Sequence, residues 1–465
     1  MNKIKCLSCE ESVNLVPGEL YLTCPECEKQ YPLISGSIPV FVTDAEAYLA
    51  STFLTIDHHI RSNNQLHEGL ATTTSNTVSS ERMQSVRSAS EKNNHLFEGL
   101  IELIDPYITK RDVAAAVDSF TSSAYITGLD YLRRDWCWSD ESEEEIGKMK
   151  SVLHKILETQ ECSGNALIMG GGMGRIAYEL SGFFRNITVV DYSLTMGYLF
   201  NKVKNEDVEI FELVNKNLEE SKNAVRQLTA TISPLADDDN FDDSAGSKVA
   251  HYIADAKQTP FEDDSINVYF SIYFTDVLPL STLISEVKRV LADGGYFIHF
   301  GPLDYHFDDP VEKYSGTELI DYLSTQGFTI VSSDTVTTNH CAIDHSLQRK
   351  VYRNLVYCFQ LHKPQPTKLS GDEVLALRMG YIVKKEMGAD DTLQTEIQFR
   401  NGETYEGAEL ISAILQEIDG EQTVSEIVRV FLSRELLTND DKEKLFGILE
   451  NFIDEGILKI IKKAQ

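Results

Sequence analysis

Between residues 165 and 301 the chain alternates two kinds of apolar pattern. Short runs, "NALIM" (165–169), "ITVV" (187–190) and "VYFSIYF" (268–274), have the length and make-up of strands buried on both faces. Between them, "RIAYELSGFF" (175–184) and "LISEVKRVL" (283–291) space their apolar residues by three and four, as helices do. One strand is expected to end near Asp255 and another to cover 267–274. A turn at "ADGG" (292–295) then leads into the strand "YFIHF" (296–300). Strands alternating with helices predict an α/β fold with a doubly wound, largely parallel sheet.

The flanks carry other patterns. Residues 43–160 predict mainly helix. Within them, 71–92 is polar and rich in Ser and Thr, which suits a linker or an exposed helix. The acidic run "ESEEE" (141–145) reads as a solvated first helical turn, favoured by the helix dipole. Near the N-terminus, "YPLISGSIPVFV" (31–42) reads as strand, glycine turn, strand. A Pro-containing linker starts near Lys363. Beyond it, "GYIVKKE" and "TEIQFRNGETYEG" predict strands, followed by two amphipathic helices, a third helix with a glycine exit and a closing strand. The expected segments are 1–42, 43–160 (helical linker and lid), 161–363 and 364–465.

Charge narrows the function. Of 465 residues, 42 are basic and 73 acidic, a net charge of −31. Such a surface repels phosphate backbones, and no local basic patch offsets it, so no nucleic-acid partner is expected. No apolar run has the length of a signal peptide or a membrane span, so a cytoplasmic protein with no membrane partner is expected. In a reducing compartment the eight cysteines should be thiols or metal ligands.

Four of them are spaced as ligands: "CLSC" (Cys6, Cys9) and "CPEC" (Cys24, Cys27), with fourteen residues between the pairs. Two tight turns, each presenting two thiolates, can close a tetrahedral Zn(II) site. Four thiolates leave no open position, so the metal would be structural and would replace a core that this short segment cannot build. The segment resembles the small zinc-ribbon proteins that partner methyltransferases, and the ribbon that opens some ribosomal-RNA guanine methyltransferases.

The glycines Gly170, Gly172 and Gly174 stand between the first strand and its helix, where a tight turn and close approach of a ligand are both served. Asp191 ends the second strand, beside Tyr192, and suits two ribose hydroxyls. Asp255, beside Ala256, follows the third strand and suits an adenine amino group. With the helix–"ADGG"–strand segment, this order resembles a class I, Rossmann-like S-adenosylmethionine-dependent methyltransferase. One departure is Ile168, where that class commonly has an acid.

More specifically, "RRDWCWSDESEEE" (133–145), "GGGMGRIAYEL" (170–180), "DYSLTM" (191–196) and "FTDVLPLSTLISEVKRVLADGGYFIHFGPLDYHF" (274–307) resemble, in order, segments of the carnosine N-methyltransferase family. The resemblance covers roughly 125–363 and implies methylation of a histidine imidazole nitrogen. It implies that Arg134 contacts the cofactor, that Asp191 binds the ribose, and that Asp276, Tyr305 and His306 meet the imidazole; Tyr352 is a looser substrate-side match. The residue types suit the chemistry. A neutral imidazole attacks through its lone-pair nitrogen, and a carboxylate on its N–H fixes the tautomer and stabilises the cation that forms. Taken singly, Asp276 also suits a helix N-cap and His306 a loop histidine.

The C-terminal pattern "LQEIDGEQTVSEIV" with "FIDEGIL" resembles the small winged-helix peptide-binding domain of pyrroloquinoline quinone biosynthesis, whose relatives bind leader peptides of ribosomally made natural products. The expected function is therefore methylation of a histidine in a precursor peptide held by this domain. Two alternatives stand beside it: methylation of a free imidazole dipeptide such as carnosine, and a peptide-binding scaffold without turnover. RNA methylation, which the ribbon suggests, is disfavoured by the charge.

Overall fold

The computed structural model describes residues 3–72, 79–117, 128–214, 216–233, 249–363, 367–387, 393–399, 404–406, 409–434 and 442–463. The chain divides into two compact units, Met1–His362 and Lys363–Gln465.

The first unit opens with β1 (Ile4–Lys5) paired to β2 (Ser12–Val13). An antiparallel run of β3 (Val16–Pro17), β4 (Tyr21–Thr23), β5 (Gln30–Ile34) and β6 (Ile38–Phe41) follows. The α-helices described next are α1 (Ala45–Thr72), α2 (Ser80–Ile104), α3 (Lys110–Ala116), α4 (Leu129–Trp136) and α5 (Asp140–Thr159). The alternation then runs β7 (Asn165–Met169), α6 (Arg175–Leu180), β8 (Asn186–Asp191), α7 (Leu194–Asn205), the hairpin β9 (Val208–Leu213) and β10 (Val225–Ala230), then β11 (Val249–Ala254) and β12 (Ile266–Ile272). It closes with α8 (Leu280–Val290), β13 (Leu291–Gly301), α9 (Gly316–Thr325), β14 (Phe328–Asn339) and β15 (Val351–Leu361).

The sheet order is β14-β15-β13-β12-β7-β8-β11-β6-β5-β4-β3. β11, β8, β7, β12 and β13 are mutually parallel, and β15 is antiparallel to both its neighbours. The portion from β14 to β11, in which β15 alone runs against its neighbours, has the order of a class I, Rossmann-like methyltransferase sheet. β6 joins β11 in parallel, so the N-terminal strands extend the central sheet at its edge. Alternate residues of β7 serve opposite faces. Ala166 and Ile168 enter a core shared with α1, α2, α4 and α5; Leu167 and Met169 enter a second core shared with α8 and α9.

Two expectations change. "ADGG" is not a separate turn: β13 runs through it, with Gly294 at φ +75° and the pairing to β12 slipping between Ile266 and Val268. The run "ESEEE" is not wholly solvated: Ser142 and Glu145 are buried, Glu145 because Arg134 and the Cys341 N–H meet its carboxylate. The polar stretch 71–92 takes the exposed-helix alternative at 71–72 and 80–92, with Ser79 capping α2 through the Arg82 N–H. Its residues 73–78, and 118–127 of the expected helical region, lie outside the described residues.

The second unit holds β16 (Glu373–Leu377), β17 (Tyr381–Met387), β18 (Leu393–Phe399), β19 (Thr404–Glu406), α10 (Glu409–Glu417), α11 (Val424–Ser433), α12 (Lys442–Asp454) and β20 (Leu458–Lys463). β16 pairs with β20, and β17, β18 and β19 form a second sheet. The break between α10 and α11 has a clear cause. Asp419 accepts the N–H groups of Glu421 and Gln422, and Thr423 and Glu426 form a reciprocal capping box. Residues 364–366 of the expected linker and 400–403 of the expected strand region lie outside the described residues.

Candidate active site

The carboxyl ends of the parallel strands carry two groups of candidate residues, one on each side of β7. On the first side, the loop after β7 is fixed mainly through its backbone. The Gly170 N–H bonds Val190 O at 2.8 Å, which ties the loop to β8. Asp191 then uses both oxygens: Oδ2 accepts the Gly172 N–H at 3.0 Å and Oδ1 the Ser193 N–H at 2.8 Å. From β11, His251 Nε2 donates to Gly172 O at 2.9 Å. Burial holds the pKa of this imidazole down, so the neutral ring carries its proton on Nε2. Gly172 is thus gripped at both its N–H and its carbonyl.

The three glycines do different work. A Cβ on Gly170 would lie 2.3 Å from the Phe274 ring, and one on Gly174 3.2 Å from Phe200, so protein packing demands both. Gly172, at φ +53°, has no atom within 4 Å of its Cβ position and faces open space. It is the glycine at which a ligand has room to approach. Tyr192 is exposed and packs edge-on against Tyr48 of α1 at 5.0 Å. Tyr48 donates to Tyr192 O at 2.6 Å and accepts the Leu194 N–H at 3.0 Å, so α1 secures the start of α7. Asp255 accepts the Lys257 N–H at 2.9 Å, and Ala256 is buried beside it. Asp191, Tyr192, Gly172 and Asp255 form one rim, and its donors and acceptors fit an adenosyl ligand with ribose hydroxyls.

On the other side, Asp276 follows β12 and is buried. Its Oδ2 accepts the Asp304 N–H at 3.0 Å, and its carbonyl accepts the His306 N–H at 2.8 Å. The carboxylate therefore locks the turn after β13, which carries Tyr305 and His306. Burial raises its pKa, and the bonded N–H groups and His306 oppose the rise. The Tyr305 hydroxyl donates to Tyr314 O at 2.8 Å, leaving the ring as a wall packed 5.2 Å from Phe307. Tyr352 donates to Asp304 at 3.0 Å and stands 5.0 Å from the His340 ring and 6.1 Å from Tyr273. Behind Asp276, Ser271, Thr275 and His299 form a buried chain, 2.7 and 2.9 Å long in its two steps.

Arg134 lies in α4, buried, 2.6 Å from Asp135 and 3.6 Å from Glu145. It also faces the Tyr131 ring at 5.3 Å. α4 itself is pinned to the glycine loop, because Trp136 Nε1 donates to Met173 O at 2.9 Å and its ring stacks on Phe200. The sequence reading missed His251, Tyr48, Phe274 and Glu145. Of these, His251 left a signal: Gly197 of α7 stands against its ring, where a Cβ would come within 3.0 Å.

A separate candidate metal centre lies at the N-terminus. The four Sγ atoms of Cys6, Cys9, Cys24 and Cys27 lie within 4.8 Å of one another. Cys6–Cys27 and Cys9–Cys24 are 3.6 and 3.8 Å apart. Zn–S bonds of about 2.3 Å in a tetrahedron put sulfurs roughly 3.8 Å apart, so the donors fit a Zn(II) ion. The two turns are copies of each other. Glu10 and Glu28 sit at φ +60° and +59°, and their N–H groups bond Cys6 O and Cys24 O at 2.9 and 3.0 Å.

The profile of the carnosine N-methyltransferase family (CARME) matches residues 114–363. The chain is 24% identical over 267 residues to a carnosine N-methyltransferase of Schizosaccharomyces pombe, covering 50% of this chain and 70% of that protein. It is 22% identical over 263 residues to that of Dictyostelium discoideum and 23% over 253 residues to that of Rattus norvegicus. Those matches cover 53% and 51% of this chain, and 57% and 62% of the relatives' own lengths. Among solved structures, the N-methyltransferase NodS of Bradyrhizobium japonicum in complex with S-adenosyl-L-homocysteine is 13% identical, covers 51% of this chain and 100% of its own, and gives a TM-score of 0.30. Among the described residues, no helix is long and apolar enough to cross a membrane. With the family's pattern running through more than half of its length, the chain belongs to the carnosine N-methyltransferase family of S-adenosylmethionine-dependent methyltransferases.

Proposed function

We propose that this chain methylates an imidazole nitrogen of a free histidine-containing dipeptide such as carnosine. The observation that carries the reading is Asp276. It is buried at the end of β12, one oxygen is spent on the Asp304 N–H, and the turn it holds presents Tyr305 and His306. S-adenosylmethionine supplies a sulfonium methyl when bound. The rim of Gly172, Asp191, Tyr192 and Asp255 holds its adenosine end, and Arg134 and α4 cover it. Asp276 Oδ1 accepts the substrate N–H, which leaves the lone pair on the other ring nitrogen for attack. With the methyl delivered to that nitrogen, the ring would carry a positive charge that the Asp276 carboxylate would stabilise. The N–H proton is released afterwards. The Tyr305 ring bounds the imidazole, and Tyr352 and His340 line the region beyond it. The eight thiols fit a cytoplasmic setting.

One observation supports a second reading. The unit after His362 has its own apolar core and lies beyond the family match. In this reading it is a winged-helix domain that holds the leader of a precursor peptide, and the methyl acceptor is a histidine in that peptide. The N-terminal strands, in both readings, are a ribbon closed by a structural metal on Cys6, Cys9, Cys24 and Cys27.

Incubation with S-adenosylmethionine and carnosine, followed by mass spectrometry, tests the choice. A gain of one methylene, placed on the imidazole by fragmentation, is the expected result. Methylation of longer histidine peptides with carnosine untouched selects the second reading. Methylation of neither overturns both.

A further inference from the structure

The cysteine turns sit over the loop that follows β11. β6 pairs with β11 at Val40–Ile253 and Phe41–Ala254, the two positions before Asp255. Lys5, next to Cys6, donates its backbone N–H to Pro260 O at 2.9 Å, and its ammonium lies 3.3 Å from Asp263. Ser12 donates to Glu262. Inside, the Tyr31 hydroxyl lies 3.1 Å from Cys6 Sγ. Its ring begins a series of aromatic contacts, Tyr31–Phe41 at 5.1 Å, Phe41–Tyr252 at 5.4 Å and Tyr252–Phe261 at 6.0 Å. Cys6, Cys24, Ala254 and Ala256 share one apolar core. The same loop is braced from its other side by α8, where Arg289 donates to Phe261 O at 2.7 Å and Glu286 accepts the Thr259 N–H at 2.7 Å. Asp255 and Ala256 therefore depend on a loop with two supports, and one support is the pair of cysteine turns.

We propose that Cys6, Cys9, Cys24 and Cys27 bind one Zn(II) ion, and that this ion braces the 255–263 loop so that metal occupancy sets the affinity for the adenosyl cofactor. An all-thiolate tetrahedral donor set suits zinc, and with no open position the ion does no chemistry of its own. Without it the two turns keep only their shared apolar core and the Tyr31 contacts, and the hold of Lys5 and β1 on the loop weakens. The zinc site stands by itself; the coupling rests on the reading of Asp255 and Ala256 as cofactor contacts. Coupling between two sites is reciprocal, so bound cofactor must also tighten zinc.

The test uses the full chain. Elemental analysis should give one zinc per chain as purified. Transfer of zinc to a chromogenic chelator is then measured with and without saturating S-adenosylhomocysteine. Saturation should raise the chelator concentration needed by roughly tenfold. Cys27→His, which restores a fourth ligand, should keep both zinc and coupling, and Cys27→Ser should weaken zinc retention. A chain that carries iron or no metal overturns the site. Zinc release indifferent to S-adenosylhomocysteine, while calorimetry shows that the nucleoside binds, overturns the coupling and leaves the cofactor reading intact. No binding of S-adenosylhomocysteine at all overturns the cofactor reading and the coupling with it.

Discussion

The two sides of β7 use similar bonds to present different things. On the Asp191 side, side chains hold backbone: Asp191 takes the Gly172 N–H, His251 reaches the Gly172 carbonyl, and Tyr48 secures the Leu194 N–H. On the Asp276 side, side chains also hold backbone, Asp276 the Asp304 N–H and Tyr305 the Tyr314 carbonyl, but the turn they hold presents side chains, and Tyr352 ties it to the Asp304 carboxylate. A backbone cradle suits a ligand whose shape does not vary, which is the cofactor in the reading above. A cluster of side chains can be exchanged residue by residue, which is where acceptor specificity belongs. Phe274 joins the two, since its ring fills the space that a side chain on Gly170 would need.

If this contrast holds, the largest effects come from the cradle. Asp191→Ala removes two charge-assisted bonds to the loop, at 3.0 and 2.8 Å, together with the ribose acceptor. At about 1.5–3 kcal/mol per bond, cofactor affinity should fall by at least roughly a hundredfold to a thousandfold by calorimetry. Gly172→Val should match it, through a strained positive φ and a side chain in the open space. Unchanged affinity in both would dissolve the contrast.

Asp276→Asn should act on turnover and spare the cofactor. Losing one charge-assisted bond at a desolvated site costs about 2–4 kcal/mol, roughly 30- to 1000-fold in kcat. Stability should move the other way. The folded pKa of Asp276 is raised, so folding favours the protonated acid, and ionisation costs stability as pH rises through the folded value. The neutral amide removes that cost, so at pH 7 to 8 the variant should melt no lower than the parent. For the same reason wild-type turnover should rise with pH as Asp276 ionises. A variant with normal kcat would place the acceptor elsewhere.

Much of the Asp191 side was legible because glycine spacing and strand-end acids are constraints of one local stretch. The cysteine pairs were legible for the same reason. The Asp276 side was legible only through a resemblance, since nothing in "FTDVLP" reveals that its acid turns back to the Asp304 N–H. The reading of "ESEEE" failed because Arg134 and the Cys341 N–H, which allow Glu145 to be buried, approach from another helix and from residues 196 positions away. His251 escaped because its partner is a carbonyl, which no sequence pattern records.

His299 sharpens the contrast through pH. Burial lowers its pKa from 6.5 to about 4, so the unfolded chain takes up the proton first. Its contribution is intact above about pH 6.5 and is lost as pH falls toward 4, roughly 3 kcal/mol in all. Melting curves across that window should steepen for the wild type and flatten for His299→Leu. Equal slopes would assign the acid sensitivity to other groups.

The smallest expected effect separates the two acceptor readings. Ending the chain after Lys363 removes a unit with its own apolar core. If the acceptor is a free dipeptide, every residue that meets it lies before that point, and kcat and KM for carnosine should stay within about twofold of the parent, as for independent domains. If the acceptor is a histidine in a precursor, the lost unit supplied effective concentration alone. KM for a long peptide should then rise at least roughly a hundredfold, kcat at saturation should hold, and a short core peptide in excess should be methylated as before. The two outcomes differ in one ratio, KM for the long peptide over KM for the short one. A ratio that does not move on truncation assigns the acceptor wholly to the Asp276 side. A ratio that rises by roughly a hundredfold moves recognition out of the sheet and leaves that side with orientation and charge.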